Sequence, residues 1–288
     1  MKSILQIYDI NTKQISVVKS FDKHIEAPNW TPDGKSLVFN SNGNIFVYDL
    51  ELGDERKLDT GTLFCNNDHV LSSDGAMLAV SAETEQSGSS KIYILPFAGG
   101  EMKLVTKENP SYLHGWSPDG KTLAYCACRN GDYDVYTITT EQGEEKRLTI
   151  AEGLDDGPEY TPDGKYIWFN SVRSGLMQLW RMNADGTEQT QMTDDNRNNW
   201  FAHISPDNEK IVFISYNSKE VAAGDHPANK NVKIRMMPAQ GGEICDLFDL
   251  FGGQGTINVN SWNPQSTKFA FVRHCFLRKI VTCKHKGV

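Results

Sequence analysis

The sequence predicts an all-β fold, a six-bladed β-propeller of four-stranded antiparallel blades whose ring is closed by its own N-terminal strands. Three observations carry this prediction. A short turn returns six times, as Thr31-Pro32-Asp33-Gly34-Lys35, Ser73-Asp74-Gly75, Ser117-Pro118-Asp119-Gly120-Lys121, Thr161-Pro162-Asp163-Gly164-Lys165, Ser205-Pro206-Asp207-Asn208 and Asn263-Pro264-Gln265-Ser266. From Asp33 through Asp74, Asp119, Asp163 and Asp207 to Gln265 the intervals are 41, 45, 44, 44 and 58 residues, the period of a repeat architecture. Apolar and polar residues alternate on both sides of each turn, and no stretch carries a helical period.

The turn has the chemistry of a tight hairpin. Pro presets φ near −65°, Asp bonds the backbone ahead of it, and Gly or Asn tolerates positive φ. Before it stands a short segment ending in Trp30, Leu71, Trp116, Tyr160, Ile204 or Trp262. After it comes a second strand, such as Ser36-Leu37-Val38-Phe39 or Tyr166-Ile167-Trp168-Phe169. A third follows, as in Ile45-Phe46-Val47-Tyr48 and Leu179-Trp180-Arg181-Met182, ending at Gly-bearing turns near Gly53, Gly100, Gly143, Gly186 and Gly242. A fourth, more polar run such as Lys146-Arg147-Leu148-Thr149 completes the unit. These are strands a to d of a blade, counted outward from the axis.

The two termini share the last blade. Leu5–Ile10 and Gln14–Val18 read as strands c and d with no a and b before them, and the sixth turn supplies a and b alone. Closing the ring this way removes the open sheet edges. The prediction is one domain over residues 1–275, followed by a loosely packed tail over 276–288 that has no repeat signature.

Composition narrows the function. A net charge of −8 argues against nucleic acid or an anionic membrane as partner. The N-terminus lacks an apolar leader and no run is long enough to span a bilayer, which predicts a cytoplasmic, monomeric protein. The cysteines, at 65, 126, 128, 245, 275 and 283, follow no disulfide or zinc spacing, and Cys126 and Cys128 read as small buried strand residues. There is no Gly-x-Ser-x-Gly elbow, no His-Glu-x-x-His and no phosphate loop. Gly252-Gly253-Gln254-Gly255 has no helix after it, so it is a poor dinucleotide site.

The Ser/Thr-Pro-Asp-Gly-Lys turns, the apolar strand after each, and Asn183-Ala184-Asp185-Gly186 after a third strand resemble the TolB-type β-propeller repeat over roughly residues 3 to 273. The resemblance implies a six-bladed propeller. It leaves function open, because similar propellers serve as binding platforms, as gates on serine peptidases and as lyases on acidic sugars.

Topology directs attention to one face. The a–b turns lie at one end of the channel, and the beginnings of the inner strands lie at the other with the b–c loops. Six residues before each turn Pro, or Ser73, stand Glu26, Asn67, Tyr112, Asp156, Trp200 and Asn258; four before it stand Pro28, His69, His114, Pro158, Ala202 and Asn260. Asp155, Asp68, His24 and His203 are close by in sequence. This polar ring is the expected ligand-binding mouth, although any water-filled channel needs polar walls. Arg129 and Arg173, each eleven residues after its turn Pro, fall at b–c tips of the same face, where paired guanidinium groups suit carboxylate or phosphate. The long b–c insertion of the fifth blade, Ser218 to Lys230, is expected to form a lid or rim there.

Two functions follow. The first is a platform that holds a protein segment or a small polar ligand at the channel mouth, with no cofactor. The alternative is a carbohydrate-active enzyme, a lyase on acidic oligosaccharides with a divalent metal held near His69 and His114.

Overall fold

The computed structural model describes residues 2–84, 88–129 and 131–275. The predicted tail, 276–288, lies outside the described residues, which contain strands, turns and loops and no helix. Five blades are four-stranded antiparallel sheets and the sixth is composite. Blade 1 runs Glu26–Trp30, Ser36–Ser41, Asn44–Asp49 and Glu55–Lys57. Blade 2 runs Phe64–Leu71, Met77–Glu83, Lys91–Pro96 and Lys103–Leu104. Blade 3 runs Ser111–Trp116, Thr122–Arg129, Asp132–Thr139 and Lys146–Arg147. Blade 4 runs Asp155–Tyr160, Tyr166–Ser171, Gln178–Asn183 and Thr190–Gln191. Blade 5 runs Arg197–Ile204, Lys210–Asn217, Lys230–Pro238 and Cys245–Gly252.

Blade 6 closes the ring as the termini require. Lys2–Asp9 pairs antiparallel with Lys268–Cys275, from Lys2 opposite Cys275 to Asp9 opposite Lys268, and Gln14–Phe21 lies outside it. Its inner strand is reduced to a single bridge between Trp262 and Phe269. The Thr256 hydroxyl and the Asn258 side chain accept hydrogen bonds from the Gly253 and Gly255 amides, and the segment meets its neighbour strand through scattered bonds, from the Val272 amide to the Thr256 carbonyl (3.1 Å) and from the Ala270 amide to the Ser261 carbonyl (2.9 Å), in place of a regular ladder.

Repetition at residue level builds the turns. In the five Asp-bearing turns the Ser or Thr hydroxyl donates to the Asp carboxylate, at 2.7 Å for Thr31–Asp33, 2.6 Å for Ser72–Asp74 and Ser117–Asp119, 2.7 Å for Thr161–Asp163 and 2.5 Å for Ser205–Asp207. The same hydroxyl accepts the amide five residues on, as from Tyr166 at 3.1 Å. Successive turns also touch: a Cβ on Gly75 would sit 3.3 Å from the Pro32 ring of the preceding blade.

Packing between blades is apolar with one recurring polar tie. Leu113, Leu123 and Tyr125 of blade 3 pack on Ala79, Ile92 and Ile94 of blade 2; Trp168 of blade 4 packs on Phe213 and Met237 of blade 5. Eight residues after the turn Pro, or Ser73, stand Asn40, Ser81, Cys126 and Asn170. Each bonds the backbone of the next blade's inner strand: Asn40 donates to the Cys65 carbonyl (2.7 Å), Ser81 accepts from the Leu113 amide (2.7 Å), Cys126 reaches the Asp155 carbonyl (3.5 Å) and Asn170 accepts from the Phe201 amide (3.0 Å).

Candidate functional site

The inner strands of blades 1 to 5 each break register once, between Glu26 and Asn29, Cys65 and His69, Leu113 and Gly115, Asp156 and Glu159, and Trp200 and His203. An extra residue in one strand flips the facing of those beyond it. Ala27, Gly157 and Phe201 take up the bulge with φ of 53°, 62° and 58°. For Phe201 this left-handed backbone costs on the order of 1–2 kcal/mol, and such strain concentrates at functional sites.

The bulges shape a cavity of about 650 Å³ on the face of the d–a and b–c connections. Its wall holds Asn67, Asp68, Tyr112, His114, Cys126, Tyr133, Asp156, Phe201, His226 and Asn258, with Glu83 at the rim. At the other end of the axis the a–b turns enclose a second cavity of about 420 Å³, lined by Trp30, Trp116, Trp262 and the turn prolines. His114 lines both and so stands at the waist between them.

Electrostatics centre on Asp156. His114 Nε2 lies 3.1 Å from Asp156 Oδ1, and His226 Nε2 lies 4.0 Å from Oδ2. Burial works to raise the Asp156 pKa, yet the charge and hydrogen bond of His114, with His226 and the Gly157 amide, hold it well below the usual carboxylate range. Burial likewise works to lower His114, but Asp156, Asp68 and Glu159 more than reverse it and its pKa is raised. His226 is lowered by burial. Asp68 is pushed up to about 6, first by burial and then by the Asp156 and Glu26 charges, against the opposing pull of His114 and Asn66. Tyr112 is pushed up to about 12 by burial and by Tyr133 and Asp68.

The cavity wall includes five of the expected site residues: Asn67, Tyr112, His114, Asp156 and Asn258. Glu26 pairs with His24 at 3.1 Å beside Gly255. Trp200 is fully buried in the blade 5 core, and its neighbour Phe201, at φ 58°, stands on the cavity wall. His69 is sealed against the Val38 carbonyl at 3.4 Å, with burial lowering its pKa to about 4. Asn260 belongs to the other cavity, where it donates to Glu159 at 2.6 Å. Asp155 is buried against Arg173 at 2.7 Å, and Arg173 also holds Gln189. Arg129 clamps Glu145 at 2.7 Å, the Pro110 carbonyl and Ser111. Cys126 is buried as expected, whereas Cys128 is half-buried.

His69 and His114 therefore do not share a cavity as a metal site would require. Among the described residues no group of three or more His, Cys, Asp or Glu could hold a metal ion.

Asp68, Phe201 and His226 complete the wall. Asp68 stood only as a neighbour in sequence. His226 belongs to the fifth-blade insertion, whose length was its one signal. That insertion is docked: Asn198 donates to the Val221 carbonyl, the Tyr216 hydroxyl donates to the Pro227 carbonyl, and His226 packs 4.4 Å from Trp200 and 5.3 Å from Phe201 by ring centroids. It brings Gly224 and His226 to the cavity wall.

Comparison with known proteins places these features in a family. A profile described as the TolB beta propeller domain matches residues 111–238, and one described as the dipeptidyl peptidase IV N-terminal region matches residues 2–71. An uncharacterised protein of Agrobacterium fabrum is 46% identical over 278 residues, covering 95% of this chain and 93% of its own. A solved structure from Agrobacterium tumefaciens that carries the provisional name TolB superposes with a TM-score of 0.92 at 46% identity, over 96% of this chain and 99% of its own. TolB from Acinetobacter baumannii superposes with a TM-score of 0.65 at 19% identity, over 88% of this chain and 64% of its own, a likeness of fold alone.

Proposed function

We propose that this protein is a binding platform, and the premise is its family: the chain belongs to the TolB-like β-propellers. The site we assign is the cavity around His114 and Asp156, which takes a polar small molecule or an extended protein segment. One observation carries this reading. The wall is built by inner strands and loops of blades 2 to 6, which supply it with side chains of mixed chemistry rather than one repeated type: Asp68, Tyr112, Asp156, Phe201 and Asn258. A repeat protein keeps its scaffold positions alike and varies the ones it uses for recognition. The volume lies within the roughly 300–1,000 Å³ of ordinary ligand pockets.

The test is a melting-temperature screen of small polar solutes and short peptides, followed by a hydrogen-exchange footprint of the best hit. A ligand that binds only the folded state adds about 2.7 kcal/mol at a hundred times Kd. Protection over 111–115, 154–158 and 221–227 is the expected result. Protection confined to the a–b turns around 31–35 and 117–121 would sink this assignment.

A further inference from the structure

If the cavity is a binding site, the group it selects follows from its charge, and we infer that the occupant presents an aliphatic ammonium group to Asp68. Three carboxylates line the cavity, Asp68, Asp156 and Glu83, and no lysine or arginine does. Asp156 is already neutralised by His114. Asp68 is not. It is 5% exposed, Asn66 donates to its Oδ2 at 3.0 Å, and no cationic side chain among the described residues pairs with it. Its Oδ1 takes no hydrogen bond from a described residue, and Asp68 lines the cavity. A buried carboxylate without a counter-charge is costly, and proteins normally pair it.

Contrast Glu159, the carboxylate facing the other cavity. It holds His203 at 2.7 Å, the Ile204 amide at 2.9 Å and Asn260 at 2.6 Å, so its acceptor capacity is engaged. The channel satisfies one acid and leaves the other open.

The geometry also separates kinds of cation. A guanidinium pairs best through two oxygens, and Asn66 occupies one of the two on Asp68. A compact ammonium needs only the free Oδ1. The same wall holds Asn67 and the rings of Tyr112 and Tyr133, whose centroids are 6.4 Å apart, a lining that suits a cation and its alkyl stem.

Isothermal titration calorimetry with probes of one chain length tests this: pentylammonium, 1,5-diaminopentane, 1-pentanol and pentanoate, with a capped Gly-Lys-Gly peptide beside them. The ammonium probes should bind at least tenfold tighter than the alcohol and the carboxylate. Asp68→Asn should weaken them at least tenfold without changing the alcohol, and Glu83→Gln should weaken them about twofold. Glu144→Gln, on an exposed c–d connection, should change nothing. Whether the diamine or the peptide binds tighter separates a free amine from a lysine side chain as the source. Equal binding of alcohol and amine, or Asp68→Asn as tight as wild type while still unfolding cooperatively, overturns the cation and leaves the cavity standing. If no probe binds and the screened ligand's footprint falls on the other face, the cation and the cavity assignment both fall.

Discussion

The two ends of the channel are made by opposite means. At the turn end a Ser/Thr–Asp unit recurs in five of the six turns, each hydroxyl and carboxylate bonded within its own turn. At the other end the blades contribute acids, amides, imidazoles and aromatic rings in no repeating order, inner strands are bulged, and buried charges lean on neighbours from other blades. A repeat stabilises by local, interchangeable contacts, whereas recognition needs groups that are distinct and held by tertiary packing. Mutations should therefore act locally and, above the carboxylate range, independently of pH at the turn end, and through several blades with pH dependence at the other.

Glycine gives the largest contrast. A Cβ on Gly157 would lie 2.4 Å from Asn170 Nδ2 and 3.1 Å from Phe201, at φ +62°, so Gly157→Ala should cost about 3–4 kcal/mol by chemical denaturation. Gly120, at φ +73° in a turn, meets nothing within 4 Å, and Gly120→Ala should cost only about 1–2 kcal/mol of backbone strain. Equal losses would break the comparison.

The His114–Asp156 pair comes next. Asp156→Asn should destabilise by about 2–3 kcal/mol near pH 6, since it removes one partner of a buried ion pair. His114 is raised in the folded state, so its contribution is complete below its unfolded value near 6.5 and is lost as pH rises through the folded one. Asp156 is lowered, so its contribution is complete above about 3.8 and is lost as pH falls through its folded value. The wild-type advantage over Asp156→Asn should peak between these limits; a flat difference from pH 4 to 9 would contradict it.

Asp68→Asn should act in the opposite direction. With a folded pKa of about 6 against 3.8, ionising Asp68 costs stability, a cost that is absent below pH 4 and complete above pH 6. The groups that set it are His114, Asp156, Glu26 and Asn66. Asp68→Asn should therefore be about 1–2 kcal/mol more stable than wild type at pH 8 and indistinguishable at pH 4. Equal melting temperatures at pH 8 would show that Asp68 is compensated after all.

The smallest effect belongs to a single turn. Thr161→Ala removes the hydroxyl that joins Asp163 to the Tyr166 amide and should cost about 1 kcal/mol at any pH from 5 to 9. A strong pH dependence there would blur the distinction between the ends.

The scaffold was legible and the site only partly so, for one physical reason. Counting back from a turn assumes an unbroken pleat, and every one of these inner strands is bulged before the count is complete. Tyr112 and Asp156 nevertheless line the cavity, whereas Trp200, at the position equivalent to Asp156, sinks into the core and Phe201 stands on the wall. The same count put both Asn67 and His69 at the mouth; Asn67 lines the wall, with Asp68 beside it where His69 was expected. Arg129 and Arg173 sit at predicted b–c tips, but their partners Glu145, Asp155 and Gln189 lie 16 to 18 residues away and could not be named from spacing.

What the sequence alone determined is whatever repeats: the turn chemistry, the six units, the strand alternation and the shared last blade, all encoded within a few residues of one another or by a plain period. Tertiary structure alone decided which side chains meet across blades: His114 with Asp156, His226 folded in from the fifth-blade insertion, and Asp68 left open while Glu159 is satisfied. Those contacts depend on bulges and on blade-to-blade docking, in which a shift of one residue exchanges the core face for the channel face.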